Sequence, residues 1–373
     1  MASLDLANKE HVLQYLSSGP FASTEVVPLS GGFGNYTYRL RLHSEYQGRQ
    51  TAVLKHGKSH LPGATSFPFA LYRQNFDQMA MREVRKLLPE DSLATTPEVY
   101  LYDEDASVII MEDCGEHSVT LKDLLKSGLP ISLEIAHRIG AALGGFLAQL
   151  HAWAKNNENV LDMFEGNKQA RTLSAWATYG RLVETLSGAS DLSVLDDPPL
   201  NIPADKLASI ATIARETTDA MQSARETVVM GDFWPGNVLL SLKHSDSRLD
   251  VERIFVVDWE LVKPGLPGLD IGQFCGEMQQ MRRFYPATEP LVQELVSQFL
   301  GTYRAASSGP LIQEAKVALT HIGAHLVAWT ARSGWEGKEN TREAALEGVG
   351  CLLDGYEGKQ GKLDTSVVGA LTR

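Results

Sequence analysis

From Tyr36 to Leu42 apolar and polar positions alternate, with Tyr36, Tyr38, Leu40 and Leu42 separated by Thr37, Arg39 and Arg41. A period of two places one set of side chains on one face of a strand. Residues 25–29 are also extended in character, and Ser30-Gly31-Gly32-Phe33-Gly34-Asn35 interrupts the two runs with three glycines. The pattern predicts strand, glycine turn, strand. A further strand over residues 51–55 ends in Lys55 after Ala52-Val53-Leu54. The period then changes: Asp77, Met81, Val84 and Leu88 recur at i, i+4, i+7 and i+11 within residues 72–88. That spacing predicts a helix carrying an acid beside its apolar stripe. Residues 107–111 read as a buried strand with a polar exit through Glu112-Asp113-Cys114-Gly115.

Beyond this exit, Ile131, Ile135, Ile139, Ala142, Leu143, Phe146, Leu147 and Leu150 keep a helical period. Residues 238–242 and 251–257 predict a hairpin around a polar loop at 244–250, and helices complete the chain. The expected class is α+β, with a small β-rich lobe over residues 1–111, a hinge at 112–116 and a large α-rich lobe over 117–373.

Composition narrows the function classes. The 373 residues are 43% hydrophobic and 21% charged, which excludes wholesale disorder. A formal charge of −12 argues against a broad electrostatic grip on nucleic acid or an anionic membrane. Cys114, Cys275 and Cys351 are scattered, with no metal-binding spacing, as in a reducing compartment. The first residues carry Asp5, Lys9 and Glu10 where a secretion signal needs an apolar run, and the most apolar stretch, 139–153, is too short to span a bilayer. The expectation is a soluble cytoplasmic protein.

Candidate chemistry concentrates around the predicted hairpin. Met230-Gly231-Asp232-Phe233-Trp234-Pro235-Gly236-Asn237 enters it and Val256-Val257-Asp258-Trp259-Glu260 leaves it. Asp232 and Asn237 have the D-x-x-x-x-N spacing of a phosphotransfer loop, and Asp258 supplies a second carboxylate. Phosphoryl transfer needs one carboxylate to orient a hydroxyl and oxygen donors to hold Mg²⁺ against the phosphates. Asp and Asn also favour ordinary turns, so neither residue decides the matter alone. The order does: glycine hairpin, strand-ending Lys55, helix acid, apolar strand, then Asp232, Asn237 and Asp258. A dinucleotide site is disfavoured, because no helix follows the glycines directly.

These motifs resemble the aminoglycoside phosphotransferase, choline kinase and methylthioribose kinase superfamily, a small-molecule branch of the two-lobed protein-kinase-like fold. Leu29-Ser30-Gly31-Gly32-Phe33, Leu54-Lys55-His56, Gly144-Gly145-Phe146, Asp258-Trp259-Glu260-Leu261 and Ala324-His325 resemble a fungal subgroup that includes 4-hydroxytryptamine kinase. The resemblance implies Asp232 as catalytic residue, Asn237 and Asp258 as Mg²⁺ ligands, and ATP held by Gly31, Gly32, Gly34, Asn35 and Lys55. It also implies a purine contact at the backbone of Met111, Glu112 and Cys114, and a structural brace at Asp270. The partner of Lys55 is Asp77 or, if the register slips, Glu83. Met230 stands where the superfamily usually has His and cannot make that residue's hydrogen bonds.

His151 is expected to be a packed histidine, and Arg282-Arg283 an exposed helix end. Trp234, Glu277, Trp329 and Trp335 are candidates for holding a small-molecule alcohol, with an amine-bearing acceptor favoured by carboxylate and aromatic faces. A methylthioribose-like sugar kinase and a catalytically silent nucleotide-binding protein are the alternatives. A protein kinase is disfavoured because only eleven residues separate Asp258 from Asp270, too few for a peptide-binding activation segment.

Overall fold

A computed structural model describes residues 4–30, 32, 34–61, 64–245, 248–307 and 309–373. Gly31 and Phe33 of the glycine turn lie outside the described residues. The first lobe is built on an antiparallel sheet whose strands run, in spatial order, Ser23–Pro28, Asn35–Tyr46, Arg49–Gly57, Val108–Glu112 and Val99–Asp103. Alternation divides its faces. Tyr38, Leu40, Leu42, Ala52 and Leu54 join Leu6, Val12 and Leu16 in an outer core, against which the helix Lys9–Tyr15 packs. Val53 and Lys55 point to the other face, the one turned toward the rest of the molecule.

The helix Arg73–Leu87 crosses beneath that inner face, burying Phe76, Asp77, Ala80, Met81 and Val84. This is the stripe read from the sequence. The predicted hairpin is longer than expected: Val238–Ser245 pairs with Arg248–Val256, flanked by the short strands Val119–Thr120 and Ala94–Thr95. Apart from Leu249, which is buried in the core, its outer residues are polar in sequence, so the hydrophobic pattern stops short of the hydrogen-bonded ladder.

Helices make up the rest. The spine Leu133–Ala154 packs along Glu289–Ala305, and Gly268–Phe284 packs on Ile312–Trp329, which in turn packs on Lys338–Glu357. A continuous core runs from Val53 and Met81 through Phe146 and Phe233 to Phe299 and Ile322, joining both lobes. Among the described residues no helix is long and apolar enough to cross a membrane.

Candidate active site

Lys55 is buried on the inner face of its strand, where its ammonium bonds Asp77 Oδ2 and Asp258 Oδ1, each at 2.5 Å. Burial opposes the charge, but the carboxylates of Asp258, Asp77 and Glu260 outweigh it and raise the lysine's pKa, so it stays protonated. The helix acid beside Lys55 is therefore Asp77; Glu83 pairs instead with Lys86 at the surface, at 2.7 Å. Asp77 Oδ1 also accepts the Trp259 N–H at 2.9 Å, tying the helix to the segment that carries Asp258. Asp258 has a left-handed backbone, with φ of 68°. That conformation is uncommon for a residue with a Cβ and is tolerated best by Asn and Asp, and it turns the chain sharply at the strand end.

The end of the glycine turn, at Gly34 and Asn35, is fastened by a residue that no local pattern marks. Arg73 donates to the Gly34 carbonyl at 2.7 Å, to Asn35 Oδ1 at 3.1 Å and to Glu260 Oε2 at 3.0 Å. Asn35 Nδ2 donates to the same Glu260 oxygen at 2.9 Å, so its side chain is spent on this clamp. A side chain at position 34 would collide with the Glu260 carboxylate, which accounts for the glycine. Burial and then Asp258 push the Glu260 carboxyl up to about 7. Asp77, Asp258 and Glu260 bring ligand atoms within 4.8 Å of one another, but Lys55 already lies between the first two.

Between the lobes opens a cleft of about 430 Å³. Leu29 and Val53 line it on the first lobe, Leu239 and Val257 on the second, and Met111, Glu112 and Cys114 at the connection. Gly32, Asn35, Lys55, Asn237 and Asp258 share the same lining. The Glu112 side chain is turned away, paired with Arg49 at 2.6 Å and Arg85 at 3.1 Å, which leaves backbone at that point for a ligand. Apolar walls and convergent polar groups at one end suit a flat base joined to a phosphate chain.

Asp232 lies outside this cleft's lining and is joined to it through Asn237. Asn237 Nδ2 donates to Asp232 Oδ2 at 2.8 Å and to its carbonyl at 3.0 Å, and Gln273 Nε2 donates to Oδ1 at 2.8 Å. Burial, and next the Asp258 charge, push the Asp232 carboxyl up to about 6. The loop before it is held by Asp270, which accepts the backbone N–H groups of Met230 and Gly231 at 2.8 and 2.9 Å. His151 meets Asp270 at 3.3 Å and Tyr303 at 2.8 Å. Met230 itself is fully buried among apolar neighbours, so its side chain fills core where a histidine would seek polar partners. Gln273 sits three residues beyond Asp270 on one helix face, a spacing that could have marked it.

A second cavity, of about 390 Å³, opens beside Asp232. Its walls include Trp176, Arg181, Met221, Lys263, His321 and Trp329. Of the four residues expected around the acceptor, only Trp329 lines it. Glu277 is buried with both oxygens engaged, by His325 at 2.9 Å and Lys122 at 3.5 Å. Trp234 and Trp335 face the Lys122 ammonium, at 4.8 and 4.5 Å from their ring centres. The carboxylate and aromatic faces expected to receive an amine thus already hold one, and the reason is a lysine 155 residues from its acid. Arg283 pairs with Glu343 and Glu347 at the surface, away from this cavity.

Comparison with known proteins adds a chemical context. Residues 25–308 match the phosphotransferase enzyme family. The chain is 32% identical over 378 residues to the 4-hydroxytryptamine kinase of Psilocybe cyanescens, covering 98% of each chain. It is 31% identical to that of Psilocybe cubensis, covering 94% of each. In fold it is similar to a choline/ethanolamine kinase family protein of Mesorhizobium loti, with a TM-score of 0.50 at 14% identity, covering 96% of this chain and 99% of that one.

Proposed function

This chain belongs to the phosphotransferase enzyme family and is a small-molecule kinase, and from that premise we propose that it transfers the γ-phosphoryl group of ATP to the hydroxyl of a hydroxylated aromatic amine. The observation carrying this reading is the position of Asp232, locked by Asn237 and Gln273 and lining a cavity separate from the nucleotide cleft. The names of the relatives support the acceptor class. The size of the cavity and its tryptophan-bearing walls agree with a flat acceptor. A sugar acceptor would need a ring of free hydrogen-bonding groups, and this lining is mainly apolar.

In this reading residues 1–111 and 117–373 grip the nucleotide from either side of a hinge at 112–116, where the Glu112 and Cys114 backbone meets the purine edge. Lys55, pinned by Asp77, neutralises the phosphate chain, and the backbone at Gly32 and Gly34 covers it. Asn237 and Asp258 offer an amide and a carboxylate oxygen at the phosphate end of the cleft, hard donors that suit Mg²⁺. When bound there, Mg²⁺ supplies positive charge to the phosphate oxygens. Asp232 accepts the acceptor's hydroxyl proton as the oxygen bonds to phosphorus and ADP leaves. The two amides on Asp232 fix which oxygen faces the hydroxyl. Intact Lys55, Asp232, Asn237 and Asp258 argue against a silent protein. The free, mainly buried cysteines agree with a cytoplasmic location.

The test is ADP release with MgATP over a panel of aromatic amines, amino alcohols and sugars, using wild type and Asp232→Asn. Hydroxylated aromatic amines should exceed methylthioribose-like sugars in kcat/KM by at least about tenfold. Asp232→Asn should lower kcat by orders of magnitude, on the order of 10²-fold or more, while nucleotide affinity stays near wild type. Near-normal turnover in the variant would overturn the assignment of Asp232.

A further inference from the structure

The charges facing the acceptor cavity are unevenly matched. Both of its carboxylates are supplied with donors: Asp232 by Asn237 and Gln273, Asp270 by two backbone N–H groups and His151. His325 is bonded to Glu277, and His321, which burial pushes down to about 3, is neutral and takes the Tyr179 hydroxyl at 3.0 Å. The cations are another matter. Lys263 is buried and, among the described residues, donates to two neutral oxygens, Ser174 Oγ and the Leu261 carbonyl, both at 2.9 Å; burial lowers its pKa to about 8 against the pull of Asp270 and Asp232. Arg181 has no hydrogen-bond acceptor and no carboxylate within ion-pair distance among the described residues. Its guanidinium lies over two ring faces instead, 4.2 Å from the centre of Trp176 and 5.7 Å from that of Trp329. The nearest acid along the chain, Glu184, is closer to Arg332, at 3.8 Å.

We propose that Arg181 is an acceptor-binding residue, and that the acceptor carries an anionic group, a carboxylate in the simplest case, at the end remote from its reacting hydroxyl. The assignment rests on the reading of this cavity as the acceptor site and narrows the aromatic amine to an aromatic amino acid. A guanidinium is never deprotonated in proteins and presents a planar fork matched to a carboxylate. Stacking on Trp176 and Trp329 fixes its plane before the acceptor arrives, which reduces the ordering cost of binding. Asp232, Trp329 and Arg181 line the same cavity, so an acceptor whose hydroxyl meets Asp232 can present its other end to the guanidinium. A carboxylate there gains a two-point ionic contact, whereas an ammonium alone meets a fixed like charge.

The experiment titrates the full chain, with MgADP present, using 4-hydroxytryptamine, 4-hydroxytryptophan and 4-hydroxyindole-3-acetate, and follows heat of binding and tryptophan fluorescence. Wild type should bind 4-hydroxytryptophan at least about tenfold more tightly than 4-hydroxytryptamine, or about 1.4 kcal/mol. Arg181→Gln should abolish that difference, Arg181→Lys should keep part of it, and all variants should bind ADP as wild type does, showing that they are folded. Binding of the amine equal to or tighter than the amino acid, or a preference that survives Arg181→Gln, would overturn the proposal. If the amine is still phosphorylated in that case, the kinase reading stands. Failure of all three compounds both to bind and to be phosphorylated would overturn this proposal and the aromatic acceptor reading together.

Discussion

Asp232 shows how a side chain's role depends on neighbours that are distant in sequence. An exposed aspartate is a weak base at neutral pH, whereas burial and the Asp258 charge raise this carboxyl to about 6, nearer the optimum for proton transfer. The direction of the shift sets a pH limb. Below about 6 the carboxyl is protonated and cannot accept the hydroxyl proton; above it the base is ionised. The rate should therefore fall as pH drops through about 6, read as kcat/KM for the true acceptor at saturating MgATP. A profile flat down to the ordinary aspartate range would show that Asp232 is not the base. Asp232, Asn237 and Asp258 are legible in the sequence because their spacing is local. Arg73 and Lys122 are not, since Arg73 reaches Glu260 across 187 positions and Lys122 reaches Glu277 across 155.

Elements meet here through backbone as much as through side chains. The spine helix Leu133–Ala154 approaches Glu289–Ala305 so closely that a Cβ on Gly140 or Gly144 would clash with the Leu295 or Phe299 carbonyl. One residue further on, a Cβ on Gly145 would rest 3.7 Å from Thr302 Cγ2, an ordinary contact. Gly144→Ala should destabilise the protein by about 1–3 kcal/mol through overpacking. Gly145→Ala should be neutral or stabilise by up to about 1 kcal/mol, because glycine costs helix entropy. Chemical denaturation of the two variants checks the contrast, and equal midpoints would refute the packing argument. The amphipathic period located this helix, while which of two adjacent glycines is indispensable depends on the neighbouring helix. In the hairpin the ladder continues past the apolar pattern because backbone pairing does not require an apolar face.

For the whole molecule, the cleft joins the glycine turn and Lys55 of one lobe to Asn237 and Asp258 of the other. A ligand that touches both lobes stabilises the folded chain by mass action, by about 2.7 kcal/mol at one hundred times its Kd. ATP with Mg²⁺ should raise Tm, chelation of the metal should shrink the rise, and Lys55→Met should shrink it further, read against that variant's own lower unliganded Tm. Asp77→Ala should behave like Lys55→Met in the presence of nucleotide, because it releases the lysine from its strand-to-helix ion pair. Equal shifts with and without chelator would remove Mg²⁺ from the site.

The sequence by itself determined the order of strands and helices, the placement of a glycine turn, a lysine and three polar residues in phosphotransfer order, and the family these belong to. Those features are written locally, in periods of two and 3.6 and in spacings of a few residues. Tertiary structure alone decided that Asp77 and not Glu83 faces Lys55, that Arg73 clamps the glycine turn, and that Lys122 occupies the ring of Trp234, Trp335 and Glu277. It also decided that Arg181 lines the cavity beside Asp232 with no carboxylate within ion-pair distance among the described residues. The physical reason is that pairing between charges depends on distance in space and on burial, and neither quantity is encoded in the local period of a chain.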